Sequence, residues 1–353
     1  MNPPALGRRG SAARTVLFLA LLAVVVGPRF DLRDPGPIRR LTAGATAGAY
    51  GHPIDVEGYV RLVAWFRGQA PADSMIAPFC YRPLAPALAS PLPVPELTAL
   101  DTVNVLALAI AVLLLDRILL ATGAGGRGRT AGLLLFIVSF PTFYYGAIGF
   151  IDPVAVLVVT WAALLALRER WGWFAATVVL GVAVKETNAV IALFPLLRSW
   201  GRGGPDRVAW RRTVVLAFLA VAVAAAIRLV APFPGRAAFW APTWEALVAN
   251  VTRPRAWMSL ALTLGLPALL AVGGAIRDRA RGARGDEIDR FLGAGCLAAL
   301  SLYAVSLLTA YADGRVVWII APLLVPLAVR RFRRDVAEGS GPIALPSEGP
   351  AAV

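Results

Sequence analysis

Apolar residues in this chain come in long runs, and the charged residues are confined mostly to the intervals between them. A helix needs roughly 20 apolar residues to cross a hydrocarbon core about 30 Å thick, and fewer where neighbours bury it. Ten runs are candidates, at about 15–28, 98–115, 131–150, 153–167, 172–184, 187–198, 213–231, 257–276, 291–311 and 316–329. The first follows Arg8, Arg9 and Arg14 and ends in Val26-Gly27-Pro28-Arg29, which offers no small-residue cleavage site. It reads as a retained anchor, not a removable leader.

The stretch 172–198 admits one long helix or a hairpin of two short ones around Lys185. Charge chooses between them. With a hairpin, the arginines at 8–14, 117–129, 168–170, 198–212, 277–290 and 330–334 all fall on one side, and the positive-inside rule makes that side cytoplasmic. A single helix would send every later loop to the opposite side. The hairpin topology puts both termini in the cytoplasm. It also makes about 29–97 a long first outer loop, with 1–334 a single polytopic domain. The tail 335–353, rich in Gly, Pro, Ser and Glu, reads as disordered.

Within that loop, Val56, Tyr59, Val60, Val63 and Phe66 recur at helical spacing and predict a short amphipathic helix lying at the membrane interface. Asp55 is placed at its start, as a helix cap. The fold class expected is therefore an all-α integral membrane bundle of about ten spans.

Composition agrees: 58% hydrophobic residues, 16% charged residues and a mean hydropathy of +0.68 exclude an ordinary soluble globule. All but one of the 35 cations are arginine, and their place between apolar runs marks them as topology signals instead of a nucleic-acid footprint. One histidine, His52, and two distant cysteines, Cys80 and Cys296, supply neither a zinc site, nor a Ser-His-Asp triad, nor a disulfide framework.

The remaining polar groups converge on the outer side. Lys185 is flanked by apolar residues, and at a membrane centre it would cost about 2.5–3.5 kcal/mol. Glu186, its neighbour in sequence, is a poor partner on a helix. Arg82 sits between Tyr81 and Pro83 with no local acid, so an anionic partner is expected. Glu57 and Arg61 are spaced as an i,i+4 ion pair. Asp152, before Pro153, reads first as the cap of the fourth span and second as support for a donor site or a metal. Asp313-Gly314-Arg315 reads as a tight turn whose two charges meet, with Arg315 also a candidate cation. Asp31 and Asp34 are accounted for by turn chemistry, and His52 by a structural role in a loop. Trp240 and Trp244 are the pair to test as sugar platforms.

These features in order resemble the bacterial polytopic glycosyltransferases of the GT-C class. The features are an N-terminal anchor, Asp55-Val-Glu57-Gly58-Tyr59 ahead of the loop helix, and Phe79-x-Tyr-Arg-Pro-Leu-x-Pro86. They continue with Asn104, Gly149-x-x-Asp152-Pro153, Lys185-Glu-Thr187 and the Asp313–Arg315 turn. The resemblance covers most of the chain. Many relatives carry adjacent acids where Val56 here separates Asp55 from Glu57, which leaves two candidates for the catalytic carboxylate. It implies transfer of a sugar from a polyprenyl-phosphate donor to a glycan, lipid or protein acceptor outside the cytoplasm, in the bacterial cytoplasmic membrane. Asp55 or Glu57 would take the acceptor proton, and Arg82, Lys185, Arg315, Tyr59 and Asp152 would form the donor site. No ligand motif calls for a cofactor, although such a site is compatible with a divalent cation. Two rivals are a translocator of lipid-linked sugars and a non-catalytic membrane scaffold, the latter requiring that Asp55, Glu57 and Arg82 stay apart.

Overall fold

The computed structural model describes residues 6–30, 54–231, 233, 242–283, 285–309 and 312–339. Among the described residues there is no strand, and helix dominates. The helices are α1 (Leu6–Val26), α2 (Ile54–Phe66), α3 (Leu84–Ala89), α4 (Glu96–Ala121), α5 (Gly126–Ile137), α6 (Phe140–Tyr145) and α7 (Asp152–Leu167). They continue with α8 (Trp171–Val184), α9 (Phe194–Gly201), α10 (Arg207–Val230), α11 (Trp244–Thr252), α12 (Pro254–Ala280), α13 (Glu287–Leu307) and α14 (Ala321–Gly339). Two longer 3₁₀ segments, Glu186–Leu193 and Gly314–Ile320, precede α9 and α14.

Five helices are long and apolar enough to cross a membrane: α1 with the turn after it, α4, α10, α12 and α13. The apolar helices α7 and α8 are shorter. The runs 131–150 and 316–329 are broken or delayed, and 172–198 turns at Lys185 as the expected hairpin, the cause being local in each. The run 131–150 stops at Ser139, where Pro141 cannot donate to a continuing helix. The Ser139 and Thr142 hydroxyls both donate to the carbonyl of Phe136, at 2.7 and 2.8 Å. The run 172–198 breaks at Lys185, whose backbone is extended (φ −163°, ψ 132°). Asn188 Nδ2 then donates to Gly181 O at 3.1 Å, and Ile191 also comes against Gly181, so the chain folds back as a hairpin. The run 316–329 starts as the 3₁₀ segment and becomes α14 only at Ala321. Even the long α12 is kinked, with Gly265 at φ 47°, ψ −148° two residues before Pro267.

α7 is the centre of the bundle. It packs along α4 and is buried on nearly every side, including Val154, Ala155, Val156, Val159, Ala162 and Ala163. α10 and α12 lie outside, with Phe218, Val221, Leu229, Leu269 and Val272 exposed. Those apolar surfaces suit contact with lipid chains.

α2 forms over the predicted residues, but not as a helix resting on a surface. Asp55, Val56, Glu57, Tyr59, Leu62 and Val63 are all buried, because α2 packs into the end of the bundle against α3, α4 and the Phe79–Tyr81 turn. Gly58 permits this approach: a Cβ there would lie 2.8 Å from Phe79 Cβ. α14 extends through Gly339. The remainder of the 335–353 tail, Asp31, Asp34, His52 and Trp240 lie outside the described residues.

The two ends of the bundle carry different charge networks. At one end Arg14 and Arg129 meet Asp116, Arg202 meets Glu169 and Glu287, Arg198 meets Glu287, and Arg330 meets Asp286 and Asp289. The sequence places all five of these arginines on a common side, and the fold gathers them. The other end holds the candidate site.

Candidate functional site

Five separate segments deliver the site. Asp55 stands in the first turn of α2. Arg82 follows the 3₁₀ turn Phe79–Tyr81, Asp152 is the first residue of α7, and Lys185 and Glu186 lie at the break after α8. Arg315 follows Asp313, which caps its 3₁₀ segment by accepting from Arg315 N at 3.0 Å.

The loop before α7 is held from α4. Asp101 Oδ1 accepts from Gly149 N at 2.7 Å, and Asn104 Nδ2 donates to Phe150 O. Gly149 has φ +78°, and a Cβ on it would come within 2.6 Å of Val56 Cγ1 and 2.7 Å of Leu97 Cδ1. Gly149→Ala is expected to destabilise by roughly 2 kcal/mol or more, from left-handed strain and overpacking together. A thermal-unfolding midpoint equal to that of the wild type would show that the loop has room to relax.

Asp152 is the hub. Its Oδ1 accepts from Lys185 Nζ at 2.6 Å, and its Oδ2 lies 3.5 Å from Arg315 Nε. Arg315 Nη1 lies 2.6 Å from Asp55 Oδ2, and its guanidinium carbon sits 3.8 Å from the Phe150 ring centroid. Although close to both acids, Arg315 Nε and Nη1 make no well-aligned hydrogen bond. Beside this cluster, Arg82 donates from Nη1 to Tyr59 Oη at 2.7 Å and from Nε to Glu186 Oε2 at 2.7 Å. Arg228 Nη2 approaches Glu186 Oε1 at 3.8 Å. Tyr145 Oη donates to Asp313 Oδ1 at 2.7 Å, which ties α6 to the turn that carries Arg315.

Burial and charge act in opposition here. Burial raises the Tyr59 phenol well above its ordinary value; Arg82 opposes that, while Asp55 and Asp152 add to it. For Arg82, burial favours losing the proton, but Glu186 and Tyr59 outweigh it and hold the guanidinium firmly charged. Glu186 shows the mirror case: burial works against its carboxylate, yet Arg82 wins and keeps it ionised below the usual range. Burial pushes the nearby Cys80 thiol up to about 11, which removes it as a nucleophile at neutral pH.

Asp55, Tyr59, Arg82, Asp152, Lys185 and Arg315 therefore come together. Glu57 does not: Arg61 takes its Oε1 through Nε at 3.1 Å and Nη2 at 2.5 Å, which is the i,i+4 pair read from the spacing. Three sequence readings change. Asp55 lies inside the first turn of α2 and accepts from Val56 N at 3.1 Å instead of capping the helix from outside. Asp152 makes no cap either, since its oxygens face Lys185 and Arg315. The charges of Asp313 and Arg315 do not pair; the guanidinium turns to Asp55 and Asp152, and Asp313 receives a backbone N–H and the Tyr145 hydroxyl. Asp101 and Tyr145 are participants that the sequence reading did not single out, and Glu186, read there only as a poor partner for Lys185, is the acid that Arg82 finds. Trp244 stands exposed on α11. Among the described residues no three His, Cys, Asp or Glu side chains gather to hold a metal ion.

Chemically, the network offers a carboxylate (Asp55), three closely grouped cations (Arg82, Lys185, Arg315) and a phenol, all at one end of an apolar bundle. Comparison of the chain with family models, with curated proteins and with solved structures finds no match in any of the three.

Proposed function

We propose that the protein is a multi-pass membrane glycosyltransferase of the GT-C type, using a polyprenyl-phosphate sugar as donor. The bearing observation is the convergence of Asp55 with Lys185, Arg82 and Arg315 from segments spread over most of the chain. In this reading the acceptor hydroxyl attacks the anomeric carbon of the sugar while Asp55 takes its proton. The bond from that carbon to the phosphate oxygen breaks, and the electron pair leaves on the polyprenyl phosphate. The developing charge on that leaving group is met by Arg315, Lys185 and Arg82. The lipid chain lies along the apolar flank of the bundle, and the network faces the extracytoplasmic side of a bacterial cytoplasmic membrane, with both termini in the cytosol. The acceptor is a glycan, lipid or protein presented on that side.

The network as it stands is balanced, each cation being matched by a carboxylate. A donor phosphate would thus enter by exchange, and Arg315, held by proximity without aligned hydrogen bonds, is the group most readily handed over. The test is purified protein in proteoliposomes supplied with a panel of labelled polyprenyl-phosphate sugars. Transfer of label to an acceptor, with release of polyprenyl phosphate in equal amount, is expected for one member. Label that crosses the bilayer while still attached to its lipid would instead support the translocator. That second reading is favoured by one feature, the interruption of helices at Lys185 and Gly265, which transporters use around their binding sites.

A further inference from the structure

Arg29 differs from the other buried cations of the bundle. It closes the short turn Gly27–Arg29 after α1 and is 3% exposed. Lys185 reaches Asp152, Arg82 reaches Glu186, Arg315 reaches Asp55 and Arg198 reaches Glu287. No carboxylate among the described residues reaches Arg29. Among the described residues its buried Nε and Nη1 find no acceptor. Its guanidinium carbon lies 4.4 Å from the Tyr144 ring centroid and 5.6 Å from that of Phe143.

The aromatic faces and the negative end of α1 both favour a cation at this place. Neither accepts a directed hydrogen bond, so the buried N–H groups keep their desolvation cost. A planar guanidinium with free donors matches the oxygens of a phosphate group. α1, which ends just before Arg29, exposes Val16, Leu17 and Val24, an apolar track suited to acyl chains. Val26 packs at the position of Gly146, and Tyr145, next to Tyr144, bonds Asp313. Arg29 is therefore at the same end of the bundle as the Asp55–Arg315 network, while sharing no residue with it.

We propose that Arg29, backed by Tyr144 and Phe143, is an anion site that takes the phosphate of a membrane lipid, separate from the candidate catalytic network. The test uses full-length protein, delipidated in a neutral sugar detergent, by native mass spectrometry. The probes are dioleoyl phosphatidylglycerol, dioleoylglycerol with the same chains but no phosphate, and inorganic phosphate. Wild type is expected to retain phosphatidylglycerol in preference to dioleoylglycerol, and Arg29→Gln to bind it about tenfold more weakly. Arg29→Lys, which keeps the charge but loses the planar fork, should fall between them. Equal binding of phosphatidylglycerol by wild type and Arg29→Gln overturns the site. Occupancy by inorganic phosphate with no preference for the lipid keeps the anion site but overturns the lipid as its occupant. If Arg29→Gln does not fold, wild type alone still decides, because no preference for phosphatidylglycerol over dioleoylglycerol overturns the proposal. Arg315→Gln should retain the lipid while losing sugar transfer, which keeps this inference distinct from the proposed reaction.

Discussion

Asp152→Asn is expected to destabilise the folded protein by about 3–5 kcal/mol, because it strands buried positive charge. Asp152 is 2% exposed and answers Lys185 Nζ at 2.6 Å and Arg315 Nε at 3.5 Å. Arg315 has Asp55 as a second acid, but Lys185 reaches no other carboxylate among the described residues. Lys185→Met should cost much less, since Asp152 keeps Arg315 and the methionine fills the space of the lysine stem. The double variant should recover most of the loss, as replacing a buried pair by a neutral, well-packed one often does. Unfolding midpoints for all four members of the cycle give the coupling directly. Additive single effects would mean that Lys185 and Asp152 do not answer one another, and the network would lose its hub.

The apolar runs were readable because a bilayer demands length and hydrophobicity over a whole segment, and α1, α4, α10, α12 and α13 meet that demand. The interrupted spans were less readable because hydropathy does not register a local break. Ser139 and Pro141 sit in a run that looks continuous, and only the hydroxyl bonds to Phe136 O show how the chain stops there. Charge distribution did better. The hairpin at Lys185 followed from counting arginines on each side, and the fold-back of Ile191 on Gly181 agrees with that choice. The interfacial reading of α2 missed because an amphipathic period does not say whether the apolar face meets lipid or protein. Gly58 and Gly149, which allow close packing on both sides of α2, carried that information.

Within the site, residues that are anomalous in their own surroundings were legible: Lys185 in an apolar run and Arg82 without a local acid. Partners were not, because pairing across 33 residues (Lys185–Asp152) or 104 (Arg82–Glu186) leaves no spacing to read. Arg82 finds Glu186, and Lys185 passes over its neighbour in sequence for Asp152. Asp101 and Tyr145 act on backbone and turn geometry, which has no signal in residue type alone.

Asp55→Asn is expected to lower sugar transfer by about 10²–10⁴-fold, the usual worth of a general base, while leaving the protein folded. Glu57→Gln should retain most of the activity, because Glu57 is buried at 4% exposure and bound by Arg61, away from the cation cluster. The asparagine keeps the size of Asp55 but cannot accept the acceptor proton. It also weakens the hold on Arg315, so donor affinity should stay the same or improve while kcat falls. That split between kcat and KM distinguishes a lost base from a lost phosphate contact. Arg315→Gln should show the opposite weighting, raising KM for the lipid donor as well as lowering kcat, since the guanidinium would meet the phosphate before and during bond breaking. Rates and unfolding midpoints measured on the same preparations decide the matter. Turnover that persists in Asp55→Asn but is lost in Glu57→Gln moves the base to Glu57. Turnover that persists in both leaves the acceptor proton with neither carboxylate, and the proposed chemistry fails with it.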